Sequence, residues 1–313
     1  MEEIDRMPFN IVLRRNETEV AYRIIDERAA IIHLKKDTFN ILNVVATRIW
    51  ELSDDQITFG EIVGKIYQEF DTDWSTLNKD CSAFFQKMLE KGLLETSSPI
   101  KGISNQEQSV EAEDDLFDNL REKAIIQQIP LIVHFDLIYG CNLGCVHCYI
   151  VNENRPRLRL DEVKSILEQL AEAGALYLTL SGGEVLTRED FFEIAQYARK
   201  LRFALRVLTN GTLVDEMMAE KIASLNPEMV AISIYSMNPE VHDKITGVPG
   251  SFQKSISAAK ILKDRNVRLK ISTVIMKENV DDYRAIYELS RQLGAAFQAD
   301  YRILLRLTET KLL

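Results

Sequence analysis

From residue 131 onward the chain alternates between two hydrophobic periods, and that alternation restricts the fold more than any other feature. Six apolar runs of strand length, "LIVHFDLIY", "LYLTL", "ALRVLTNG", "MVAISIY", "VRLKISTVIM" and "FQADYRIL", are separated by helical patterns. The first helix is predicted from Asp161, with Val163, Ile166, Leu167 and Leu170 inward and Gly174 as its stop. Thr187 is predicted to cap the next, with Asp190 at capping-box distance and Phe191, Ile194, Ala195 and Ala198 inward. Further helices are expected over 215–225, 251–264 and 281–293. Six strands with five intervening helices predict an α/β fold with parallel strands and right-handed crossovers. Ligands of such sheets sit at the carboxyl ends of the strands. The chain ends at Leu313, where a sixth helix is due, so a C-terminally truncated barrel is expected.

The loop after the first of these strands, "GCNLGCVHCY", places Cys141, Cys145 and Cys148 within eight positions, and Cys81 is the one other cysteine. The N-terminus "MEEIDRMPFN" lacks the basic start and apolar core of a signal peptide, and no apolar run reaches the roughly 20 residues that span a bilayer. A cytoplasmic location without a membrane partner is expected, and there thiols stay reduced. Three clustered thiols then point to metal or catalysis rather than to disulfides. Structural zinc takes four closed ligands, with His147 as an awkward fourth because it lies between two cysteines. An iron–sulfur cube held by three thiolates keeps one iron open, and an open position is what a reacting ligand requires. Three cysteines without any ligand remain the plain alternative.

"CNLGCVHCY" resembles the CxxxCxxC signature of the radical SAM superfamily. The resemblance implies that Cys141, Cys145 and Cys148 ligate a [4Fe–4S] cluster whose fourth iron binds S-adenosylmethionine. It places His147 near the adenine, where relatives usually carry an aromatic residue. "LSGGEVL" resembles the GGE motif, implying that Gly182, Gly183 and Glu184 face the cofactor ammonium; a carboxylate suits a cation, and glycines let backbone approach closely. "VLTNGT" resembles the TNG stretch and directs Asn210 to the site, and "ISIYS" puts Ser233 near the cofactor ribose or carboxylate. "VHDKITGVPGSF" resembles a segment of the SPASM-type subgroup, with Thr246 where many members carry arginine. GGE alone is weak and the "NG" turn weaker still; CxxxCxxC, GGE and TNG at three successive strand ends are a strong set. Over residues 129–313 the resemblance implies a partial (β/α)6 radical SAM barrel. It implies reductive cleavage to a 5′-deoxyadenosyl radical, with an electron from a donor such as flavodoxin or ferredoxin. Auxiliary iron–sulfur clusters are not supported, because no cysteine follows Cys148.

Residues 1–95 read as three short strands, "NIVLRR", "AYRIID" and "AAIIHLKK", followed by three helices. Thr58 with Glu61 has capping-box spacing, and Cys81 lies on an apolar helix face as a core residue. "ILNVVATRIWELSDDQITFGEIVGKIYQEF" and "FFQKMLEKGLLE" resemble the peptide chaperone of pyrroloquinoline quinone biosynthesis, the RiPP recognition element, a small α+β winged helix-turn-helix domain. The resemblance implies that a leader peptide adds a strand along Ala30, Ile31, Ile32, His33 and Leu34. The same residues also suit ordinary core and edge positions. DNA is not expected as a partner: this segment holds 12 Lys plus Arg against 18 Asp plus Glu, and the whole chain carries a net charge of −10. Residues 96–128, rich in Ser, Gln, Asp and Glu, read as a mobile acidic linker that ends in a short helix.

The expectation is therefore a radical SAM maturase that binds a ribosomal precursor peptide through its leader. It would form a thioether, a carbon–carbon crosslink or a related product. Two alternatives stand beside it: a cofactor-biosynthesis enzyme of pyrroloquinoline-quinone-like or haem-modifying type, and a catalytically incomplete peptide-binding protein.

Overall fold

The computed structural model describes residues 7–36, 38–96, 113–150 and 157–301. The chain forms two compact units that divide between Ile129 and Pro130.

The first unit runs β1 (Val12–Arg15), β2 (Val20–Ile25), β3 (Arg28–His33), β4 (Thr38–Ile41), α1 (Val44–Leu52), β5 (Asp54–Thr58), α2 (Phe59–Glu69), α3 (Trp74–Glu90), β6 (Leu94–Thr96) and α4 (Glu113–Ile126). Its strands make two antiparallel three-stranded sheets, β5-β1-β6 and β2-β3-β4. The three expected strands and three expected helices are present. β4, β5 and β6 are additional; each is three to five residues long, too short to carry a period, and exists because a neighbouring strand pairs with it.

Asn43, Thr58 and Asp73 cap α1, α2 and α3 by accepting from backbone N–H groups. At Thr58 the box is reciprocal: its N–H donates to Glu61 Oε2 at 2.7 Å, and Glu61 N–H donates to Thr58 Oγ1 at 3.3 Å. Thr58→Ala is expected to lower the stability of this unit by about 1 kcal/mol, read as a shift in the urea midpoint of the full chain. The helices enclose Trp50, Phe59 and Phe85, the last two meeting edge-on at 5.5 Å. Cys81 lies in this core, its thiol pushed up to about 11, first by burial and then by Asp80. It is a packing residue, as its helix face predicts.

The short helix expected at the end of the acidic segment is present as α4, and it packs in the first unit instead of standing in a linker. α4 belongs to the first unit, where Phe117 meets Phe39 of β4 at 5.6 Å and Leu120 and Ala124 are buried. Apolar residues spaced three and four apart hold it there despite the surrounding acids. Residues 97–112 of that segment lie outside the described residues.

The second unit is β7 (Ile132–Ile138), α5 (Leu160–Glu172), β8 (Tyr177–Gly182), α6 (Phe191–Lys200), β9 (Ala204–Thr209), α7 (Glu216–Ser224), β10 (Met229–Ser233), α8 (Pro239–Thr246), α9 (Ser251–Asp264), β11 (Leu269–Val274), α10 (Tyr283–Leu293) and β12 (Ala296–Asp300). The six strands form one sheet in the order β12-β11-β10-β9-β8-β7, every pair parallel. Sequence neighbours are sheet neighbours throughout, so all six carboxyl ends open at one rim. The apolar core joins the central strands to α5, α6, α7, α9 and α10.

Two expectations change. Thr187 does not cap α6; Asp190 holds that position, and Thr187 closes a 3-10 turn over Val185–Thr187, its hydroxyl donating to Glu184 O at 2.6 Å. α8 was not expected, although Asn238 at its N-cap, Pro239 behind it and Gly247 beyond its end mark both boundaries. Among the described residues no helix is long and apolar enough to cross a membrane.

Candidate functional site

The cysteine loop follows β7 and is gripped by the next three strand ends. β8 ends in Gly182 and Gly183, which pass directly against its backbone: Gly183 N–H donates to Ile138 O at 2.6 Å, and Glu184 N–H donates to Gly140 O at 3.0 Å. A Cβ on Gly183 would lie 2.0 Å from Gly140 O, so only glycine permits this approach.

Glu184 follows and is fully buried. Its Oε1 accepts from Leu186 N–H at 3.0 Å and from Thr209 Oγ1 at 2.8 Å; its Oε2 accepts from Asn210 N–H at 2.7 Å. These donors are neutral. Burial pushes the carboxyl above its ordinary range, against the pull of the donors. The residue thus stitches the end of β8 to the end of β9, and any approach to a cofactor ammonium comes in addition to that work.

Asn210, just beyond β9, reaches the loop itself. Its Nδ2 donates to Asn142 Oδ1 at 2.9 Å and to Cys141 Sγ at 3.9 Å, while its Oδ1 accepts from Thr212 N–H at 2.9 Å and Thr212 Oγ1 at 2.7 Å. Asn142 Nδ2 closes the ring onto Thr212 Oγ1 at 2.8 Å. Asn142 and Thr212 were not singled out from the sequence; each lies beside a motif residue, and only the fold brings the pair together.

The far side of the loop is latched by α8. Gly144 N–H donates to Thr246 O at 2.8 Å, and Val146 N–H donates to Ile245 O at 2.9 Å. The "VHDKITGVPGSF" segment folds into the α8–α9 corner that supports this contact. Asp243 accepts from Gly250 N–H at 2.5 Å, Ser251 Oγ at 2.8 Å and Phe252 N–H at 2.9 Å. Burial raises the Asp243 carboxyl, but those donors outweigh it and hold it below its ordinary value. Thr246 is fully buried with its hydroxyl 2.7 Å from Ser251 Oγ, so it braces the corner. Gly247 has φ +73°, and a Cβ there would lie 3.1 Å from Gly144 O. Gly247→Ala is expected to cost at least about 1 kcal/mol through this left-handed backbone and to push the loop outward. Iron bound per chain after anaerobic reconstitution should fall, and iron retained at the parent level would count against the latch.

The remaining predicted residues cluster at the same rim. His147 meets Tyr235 edge-on at 4.6 Å, and its Nδ1 is buried without a hydrogen-bond partner, an atom poised for a ligand. Burial lowers its pKa, favouring neutral imidazole. Ser233 ends β10 and is half-buried at the rim. Burial, and then the neighbouring Cys141 and Cys148 sulfurs, push the Cys145 thiol up to about 12. Burial likewise raises Cys141. The Cys141 and Cys145 sulfurs, which resist ionisation alone, suit a cationic centre that takes them as thiolates. Among the described residues, no group of three His, Cys, Asp or Glu stands close enough to hold a single ion.

The expected leader edge requires a correction. Ala30, Ile31, Ile32 and His33 lie in β3, the central strand, paired with β2 on one side and β4 on the other. Leu34 N–H donates to Glu19 O, and all five residues are buried. A strand with both edges used cannot accept another. The miss has one cause: β1, counted as the first strand of this sheet, belongs to the other sheet. The edge strands of this sheet are β2 and β4, and Asn40 of β4 accepts from Lys91 at the end of α3.

Residues 136–290 match the family described as the radical SAM superfamily, and residues 28–94 match coenzyme PQQ synthesis protein D. An AdoMet-dependent heme synthase from Methanosarcina barkeri is 34% identical over 169 residues, 53% of this chain and 48% of that protein. Mycofactocin maturase MftC of Mycolicibacterium smegmatis is 33% identical over 172 residues, 54% and 44% of the two chains. The crystal structure of Streptococcus suis SuiB bound to precursor peptide SuiA superposes with a TM-score of 0.58 over 93% of this chain and 63% of that one, at 19% identity. The fold is shared; the chain spans about half the length of the curated relatives it matches.

Proposed function

We infer what this chain does from its two domains, a radical SAM domain over residues 136–290 and a PqqD domain over residues 28–94. It is an S-adenosylmethionine-dependent radical enzyme that modifies a ribosomally made precursor peptide held through its leader. The observation that carries this is the presence of both parts in one chain: a peptide-chaperone-type domain, and three cysteines at the carboxyl rim of a six-stranded parallel sheet.

Cys141, Cys145 and Cys148 would hold three irons of a [4Fe–4S] cluster and leave the fourth to S-adenosylmethionine. When bound, that pair supplies one-electron cleavage of the sulfonium and a radical able to take an unactivated hydrogen. The chain's own residues position and enclose it. Gly182 and Gly183 keep the strand end against the loop, and Glu184 presents a buried carboxyl at the rim. Neutral His147 offers Nδ1 to the adenine, and Ser233 and Asn210 supply polar groups beside it. The leader would add along the outer edge of β4, near Phe39 and Asn40, with α3 alongside, in the manner of strand addition. An external one-electron donor of flavodoxin or ferredoxin type completes the set.

The likeness to a heme synthase supports a second reading, in which the substrate is a tetrapyrrole or another cofactor precursor. A third is a binding protein without turnover. One experiment separates the three. The reconstituted, reduced chain is incubated with S-adenosylmethionine, and 5′-deoxyadenosine is quantified by mass spectrometry, alone and with short peptides encoded beside its gene or with iron coproporphyrin. Stimulation by a peptide, lost when β4 is broken by Asn40→Pro, supports the maturase. Stimulation by the porphyrin alone replaces it with the second reading, and no nucleoside from an iron-loaded chain replaces it with the third.

A further inference from the structure

Successive residues of β4 face different helices. Phe39 points to α4, where its ring meets Phe117 edge-on at 5.6 Å. Asn40 points the other way, to the end of α3, where its Oδ1 accepts from Lys91 Nζ. The division follows from the strand's period of two. α4 is held in place by more than Phe117: Leu120 and Ala124 are buried, and Lys123 Nζ lies 4.0 Å from Asp26 in the β2–β3 turn. Apart from β3, no described strand pairs with β4. This edge of the sheet therefore has a helix beside each of its faces.

The two faces differ in chemistry. The α4 face is aromatic, with Phe39 buried and Phe117 half-buried. The α3 face is made of hydrogen-bond donors. Asn40 is 8% exposed, and its Nδ2 is buried without a hydrogen-bond partner. Lys91 fixes the orientation of that amide, because an ammonium requires the carbonyl oxygen. Lys36 stands beside them, its Nζ donating to Lys91 O at 3.1 Å, and among the described residues no carboxylate pairs with it. A buried donor without an acceptor calls for a ligand that brings one. Two ammonium groups on long flexible stems beside it select an anionic acceptor, and a peptide supplies that as a carboxylate. A strand added along β4 sets its side chains opposite Phe39 and Asn40 on the same two faces, so consecutive residues meet consecutive chemistries.

We propose that the peptide bound at this edge carries a large apolar residue next to an acidic one, the first packed on Phe39 and Phe117 and the second held by Asn40, Lys91 and Lys36. The inference rests on the leader adding along β4, as read above, and it makes α4 a wall of the peptide site. Fluorescein-labelled overlapping segments of the short peptides encoded beside the gene are titrated into the full chain and followed by anisotropy. The tightest binder should contain such a pair, and alanine at either position should weaken it about tenfold. Lys36→Glu should weaken the parent segment by a similar factor, and a segment with lysine in place of its acid should bind this variant better than it binds the parent chain. Damage to the fold cannot produce that reversal. Phe117→Ala should weaken the parent segment and leave unchanged the one that already has alanine at the apolar position. If Phe117→Ala unfolds the first unit, the charge exchange at Lys36 carries the proposal. Binding indifferent to both variants, or a tightest binder without the pair, overturns the inference alone and leaves leader capture in place. No binding by any segment overturns leader capture with it.

Discussion

Cys145→Ala is expected to abolish formation of 5′-deoxyadenosine, by at least about a thousandfold, or some 4 kcal/mol of barrier, and to strip iron from the chain. Cys145 sits between the two other cysteines, packed on Tyr235, with its flanking peptides tied to Thr246 and Ile245. Two thiolates cannot replace three in that geometry. The fold should survive, because the loop remains latched by backbone groups that the substitution leaves intact. Iron content, nucleoside yield and thermal midpoint measured together give the required pattern: the first two lost, the third within a few degrees. The matching control is Cys81→Ala. It removes a buried sulfur from the first unit's core and should cost about 1–2 kcal/mol there, with iron and nucleoside unchanged. A Cys81 variant that also loses iron would mean that the cluster assignment is wrong.

Glu184→Ala is expected to destabilise the second unit by about 3 kcal/mol in the absence of any cofactor. It orphans three buried donors, Leu186 N–H, Thr209 Oγ1 and Asn210 N–H, at roughly 1 kcal/mol or more apiece. If the side chain served only a cofactor ammonium, the cofactor-free chain would keep the parent's stability. The pH dependence has a definite sign. The folded carboxyl is held above its ordinary value by burial, so its contribution is complete below the unfolded pKa and is lost as pH rises through the folded one. The gap between parent and variant in urea midpoint should therefore narrow as pH rises from the carboxylate range toward neutrality. A gap that widens would mean that the carboxylate has a cation beside it.

Much of the second unit was legible in the chain. Alternating periods defined six strands, their parallel order and the rim at which Cys141, Gly183, Glu184 and Asn210 converge, because crossover handedness and strand ends leave little choice once strands and helices alternate. α9 is found over Ser251–Asp264, as its apolar spacing predicted. Local pattern failed where pairing or context decides. β4, β5 and β6 are shorter than any period and exist only in the company of their partners. The leader edge was misplaced because strand count does not say which strands share a sheet. Thr187 had a capping residue's identity, but the turn made by Glu184 used it first.

By itself, the sequence determined the residue types and their order: three thiols with defined spacing, small residues where backbones must touch, and an excess of acidic over basic residues. Those are covalent and compositional facts that no packing alters. The tertiary structure alone decided the contacts between distant segments. It turned Glu184 into a stitch between β8 and β9 and Asp243 into the brace of a latch. Burial is why these roles could not be read locally. A carboxylate, a hydroxyl or a thiol acquires its partner and its charge preference only when the fold removes water and chooses what replaces it.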